Sequence, residues 1–195
     1  MRCYASSVLV VLTLVLLMGC KQKKKVSLAG EEPVEASDFI AFFPSQKLPF
    51  VFADSLLQKK ENDSLLISNK VFTQFVPDSV LQKIFGKNAK LKTYPLGKVQ
   101  VPRAETYLFA KVVAPSKRSA LILVFDASDN YLASLPALRT DGNRSVKTVT
   151  ILDNKYTITK TQTRKNADGS TSEGKEIYAF SAESKDFMLI MTDAL

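Results

Sequence analysis

The chain has 195 residues, 46% hydrophobic and 24% charged, with 27 Lys and Arg against 19 Asp and Glu. That length suits about one domain, and seven Gly and eight Pro exclude a collagen-like or low-complexity chain. His and Trp are both absent, which removes the Ser-His-Asp triad, the Cys-His pair and every His-ligated zinc or copper site.

Residues 1–7 carry one positive charge, Arg2, and residues 8–18 (VLVVLTLVLLM) form an apolar run interrupted only by Thr13. A membrane-spanning helix needs roughly 20 apolar residues, so the run has the proportions of a secretory signal instead. Leu17-Met18-Gly19-Cys20 then resembles the bacterial lipobox. Leu17, Gly19 and Cys20 match its pattern, while Met18 stands where a small residue is preferred. The resemblance implies cleavage before Cys20, a diacylglycerol thioether on its sulfur, and acylation of the new amino group. Removing residues 1–19 as signal peptide takes Cys3 with it and leaves no free thiol.

Lys21, Lys23, Lys24 and Lys25 follow the acylated Cys20 and are expected to contact an anionic membrane surface. From Val26 onward 22 basic residues face 19 acidic ones, so the net charge is concentrated beside the anchor. No basic face interleaved with stacking aromatics points to nucleic acid. By resemblance to Gram-negative lipoproteins, Lys21 is not the Asp of an inner-membrane retention signal, and no acidic residue precedes Glu31. The outer membrane, facing the periplasm, is the expected location.

Residues 20–36 read as the acylated Cys and a flexible polar tether, and residues 37–195 as a single globular domain. Ser37 or Asp38 offers a cap for a short turn through Phe39, Ile40, Phe42 and Phe43, ended by Pro44. Residues 48–53 (LPFVFA) suit a strand or an extended docking segment. Ile67, Val71, Phe72 and Phe75 share one helical face. Pro77-Asp78-Ser79 opens a further helix bearing Val80, Leu81, Ile84 and Phe85, and Gly86 stands at its stop.

After Lys90 the pattern changes to β-branched and aromatic runs separated by turn signals. Strands are predicted at 91–101, 105–114, 119–126, 131–139, 146–152, 155–165, 175–182 and 187–192. Short connections favour antiparallel neighbours, hence a meander. Residues 121–125 (LILVF) are apolar on both faces and should be central, covered on both sides. The predicted fold class is α+β, with short N-terminal helices packed on an antiparallel meander of about eight strands. A closed β-barrel is the alternative.

Residues 71–99 resemble stretches of uncharacterised small envelope lipoproteins, a likeness that brings no catalytic motif. Ser172-Glu173-Gly174-Lys175 and Ser128-Asp129-Asn130 match S-x-x-K and S-D-N formally, but in the reverse of the β-lactamase order and with no K-T-G. Asp126, Ser128, Asp129 and Asn130 lack the Gly and distal Glu of a calcium loop and read as a turn, as do residues 166–169 (NADG). The acids are scattered through turns, which disfavours a glycosidase pair. The phenylalanines read as core before ligand cage. No catalytic, cofactor or metal residue is therefore assigned. The expectation is a non-enzymatic lipoprotein, held to the membrane by acyl chains on Cys20, that binds an envelope protein or supports an envelope assembly. A carrier of a lipid or small hydrophobic ligand is the alternative. An apolar cavity would favour the carrier, and an exposed apolar patch or bare sheet edge the partner binder.

Overall fold

The computed structural model describes residues 27–101, 104–140 and 146–193. Its first third contains α1 (Ala36–Ala41), β1 (Phe50–Phe52), α2 (Asp54–Gln58), a 3-10 turn (Asp63–Leu65), α3 (Asn69–Phe75) and α4 (Asp78–Phe85). Ser68 caps α3, its Oγ accepting from the Val71 N–H at 3.2 Å, which satisfies one orphan donor of the first turn. Gly86 ends α4 with φ at +88°, a backbone that a side chain would strain. Both helices lie where the apolar periodicity puts them. The two-Leu segment of α2 is too short to show a period and is not anticipated.

Eight strands follow at the predicted places: β2 (Lys92–Gln100), β3 (Thr106–Val113), β4 (Arg118–Phe125), β5 (Tyr131–Arg139), β6 (Val146–Leu152), β7 (Ile158–Lys165), β8 (Thr171–Ser181) and β9 (Asp186–Asp193). Their limits differ at two turns. Asp153 accepts from the N–H groups of Lys155 and Thr157, a turn that delays β7 to Ile158. Asn166 and Asp168 close the next turn so tightly that Lys165 already pairs with Thr171, and β8 begins earlier than expected.

The single meander is corrected to two open sheets, and neither closes into a barrel. Sheet one runs β2-β3-β4-β5, and sheet two runs β1-β6-β7-β8-β9, all antiparallel. The break lies between β5 and β6, where β6 takes β1 as its neighbour, Phe50 opposite Leu152. The cause is the double-faced apolar character of β3 and β4. One face needs the helices, and the other needs a second layer.

Two cores result. Leu108, Ala110 and Val112 of β3 and Leu121, Leu123 and Phe125 of β4 pack against Phe39, Phe43, Val71, Phe72, Leu81 and Ile84 from the helical third. On the opposite face, Tyr107, Phe109, Ala120, Ile122 and Val124 meet Phe52, Leu57, Leu152 and Ile158, with Tyr178, Phe180 and Phe187 at the margin. Residues 121–125 are fully buried between the layers, as the LILVF run requires. Phe50 stacks on Phe109 at 4.6 Å, which locks β1 to sheet one.

Two packing details concern the N-terminal segment. Gly97, at a bulge in β2, lets Gln46 lie directly against the strand, since a Cβ there would meet the Gln46 Cγ at 2.2 Å. The predicted tether is also shorter than expected, because Leu28 is fully buried in the first core and its carbonyl accepts from the Ser68 N–H at 2.8 Å. Ser68 Oγ donates to the Gly30 carbonyl at 2.5 Å. Apolar side chains scattered through a polar stretch show no periodicity, yet here Leu28 and Val34 find the first core.

Candidate functional site

Registers across sheet two define its faces, because directly opposed residues project to the same side. Phe50, Leu152, Ile158, Tyr178 and Leu189 form one transverse row, and the first four pack into the second core. The neighbouring row is Val51, Ile151, Thr159, Ile177 and Met191, and it faces outward. Val149 and the Ala179–Met188 pair extend this outer apolar surface. Eight large apolar side chains are exposed among the described residues, and seven of them lie on β1, β6 and β9. Only Leu65 lies elsewhere.

β9 is the edge of sheet two and pairs with β8 alone. Its residues 188–191 (MLIM) are between 51% and 64% exposed. The register shifts between Ile177 and Tyr178, so Leu189 opposes Tyr178, Met191 opposes Ile177, and Ile190 is the extra residue of a bulge. No backbone hydrogen bond beyond the β8 ladder reaches this strand among the described residues. Asp186 and Asp193 bracket the apolar run on the outer side, opposite Ser181 and Lys175. In sequence, an unbroken FMLIM run reads as a buried strand. The bracketing acids are the only local sign of an edge.

Away from the core, the inner face of sheet two carries a polar cluster. Lys160 lies 3.5 Å from Glu176, and the Tyr178 hydroxyl donates to the same carboxylate at 3.0 Å. Burial, then the Glu176 hydrogen bond and its charge, push the Tyr178 hydroxyl up to about 12.

Two open recesses flank the sheets. The first, of about 470 Å³, is lined by Lys59, Lys60, Lys92 and Arg118 above the buried Lys111–Glu61 pair, with Tyr94 donating to Asp63 at 3.2 Å. The second, of about 570 Å³, separates α4 from β5 and the start of β9 and includes Lys83, Arg139, Lys185 and Asp186. Charged side chains line both. The phenylalanines weighed as a ligand cage are occupied otherwise: Phe39, Phe43, Phe72 and Phe85 fill the first core, and Phe52 the second.

The remaining sequence candidates separate cleanly. Asp126 accepts from the Ser128 and Asn130 N–H groups, each at 2.8 Å, and from Asn130 Nδ2. These bonds, led by those from Asn130, hold its carboxyl below the usual carboxylate range. The Asx-type turn joining β4 to β5 is what they build. Ser172 accepts from Asn166 Nδ2 at 2.9 Å and braces the β7–β8 hairpin, while Lys175 lies on the outer face opposite Thr161. Cys20, Lys21, Lys23, Lys24 and Lys25 lie outside the described residues. No family model, curated protein or solved structure matches the chain.

Proposed function

We propose that the chain is a non-enzymatic, periplasm-facing lipoprotein of the outer membrane that binds a protein partner through the outer face of sheet two. Acyl chains on Cys20 would anchor it, with Lys21, Lys23, Lys24 and Lys25 beside the lipid headgroups. The observation that carries the partner-binding reading is the concentration of exposed apolar side chains on one sheet face and its edge.

Fully burying a Val, Ile or Met contributes about 1.5–3 kcal/mol, so covering the five roughly half-exposed side chains of the outer face (Val51, Val149, Ile151, Met188 and Met191) contributes on the order of 4–7 kcal/mol. Losing translational and rotational freedom costs about 4–15 kcal/mol. The face alone therefore offsets only part of that cost, and a stable complex draws on further contacts.

Site-specific photo-crosslinking in cells tests the reading. A photoreactive residue at Ile151 or Met191 should give a discrete protein adduct, and one at Ala167, on the β7–β8 turn, should not. Val51→Asp, on the same outer row, should abolish the Ile151 adduct. An adduct pattern indifferent to position would overturn the assignment. Separately, Cys20→Ser should eliminate incorporation of a clickable fatty acid, and label persisting on that variant would refute the anchor.

A further inference from the structure

We infer that β9 accepts an extended segment of a partner protein as an added strand, and that this segment is apolar at its centre with Lys or Arg opposite Asp186 and Asp193. The inference rests on the docking reading above and specifies its partner.

A strand edge presents a row of unpaired N–H and C=O groups, and proteins commonly guard such an edge with a lysine, a proline or a very short strand. Between Phe187 and Thr192 β9 carries no charge and no proline, and the strand is eight residues long. Its bulge at Ile190 is the one such device on the strand, and it still leaves residues 188–191 between 51% and 64% exposed. A strand laid along β9 would also extend the outer apolar row by one position beyond Met191. Backbone pairing and the apolar face therefore serve one occupant.

Self-pairing meets an electrostatic obstacle. Two antiparallel copies of β9 paired along the whole strand keep inner residues against inner and outer against outer when Met188 opposes Met191 and Phe187 opposes Thr192. That register sets Asp186 against Asp193 at both ends, and like charges directly opposite are destabilising. A one-residue slip brings Lys185 opposite Asp193 but forces Phe187, which lies on the core side with Phe180, against the outward Met191. The same two acids favour a different chain with cationic ends. Lys175 already stands beside Asp193 on β8, and a cation on the other side continues the alternation.

The test uses the full acylated chain in nanodiscs of neutral lipid and two dye-labelled synthetic peptides. Both alternate valine and threonine; one is capped at each end by lysines and the other by glutamates. Fluorescence anisotropy should show the lysine-capped peptide binding at least about tenfold more tightly. In Asp186→Lys/Asp193→Lys, with circular dichroism confirming the fold, the order should reverse. N-methylation of alternate amides along one peptide edge should abolish binding. Equal affinities, an order unmoved by the double substitution, no binding of either peptide, or self-association crosslinked through β9 would each overturn the inference. Ile151 lies on β6, away from this edge, so adducts there without peptide binding would remove strand addition and leave the docking face standing.

Discussion

Lys111 lies on the face of β3 that carries Tyr107 and Phe109, and its side chain is 2% exposed. Its ammonium donates to the Leu56 carbonyl at 3.0 Å, the Lys59 carbonyl at 2.5 Å and Glu61 Oε1 at 3.0 Å. Three donors thus meet three acceptors, and all three acceptors belong to α2 or the residues just after it. Lys111→Met keeps most of the stem packing and removes the charge, leaving the Glu61 carboxylate and two carbonyls without that donor. Breaking a buried pair from one side costs about 3–5 kcal/mol. The Glu61 side chain is 12% exposed, so water reaches it, and the lower end, about 3 kcal/mol, is expected. Glu61→Gln retains an acceptor oxygen and should cost only about 1–2 kcal/mol. The double variant should fall short of the sum, as contacting residues do. Urea denaturation of the four proteins measures this directly. A Lys111→Met cost below about 1 kcal/mol, or strictly additive single effects, would refute the clamp.

Three other outcomes follow from the packing. Leu28→Ala should destabilise by about 2–5 kcal/mol in the same urea assay, because the side chain is fully buried in the first core; a change under about 0.5 kcal/mol would mean that residues 28–34 are not part of the folded unit. Thr93→Val should raise stability by about 1 kcal/mol by differential scanning calorimetry, since Thr93 Oγ1 is buried with no hydrogen-bond partner among the described residues. Tyr107 is pushed up to about 12, by burial first and then by the charges of Glu105 and Tyr156, and Tyr178 likewise reaches about 12. The folded state therefore holds these protons above the ordinary tyrosine value of about 10. Their contribution to stability is complete below about pH 10 and is lost as pH rises towards 12, so alkaline unfolding should ease over that window and Tyr107→Phe should flatten the loss.

Local chemistry was enough to place most elements of this protein. Turn residues at 128–130, 153–154 and 166–169 separate the strands, Gly86 stops α4, and the LILVF run declares a strand covered on both sides. Each of these signals acts within a few residues, through backbone sterics, side-chain-to-backbone hydrogen bonds or a two-residue period. Tertiary structure decided the rest. Phe50 pairing with Leu152 divides the strands into two sheets, and it joins residues about a hundred positions apart in the chain. That division makes β9 an edge and leaves its apolar run exposed, whereas the same run in a central strand would be core. It also sets Lys111 on a covered face, where the residues after α2 supply its acceptors. The alternation of a strand specifies two faces, but only the neighbours that assemble around it determine which face meets a core, a partner or water.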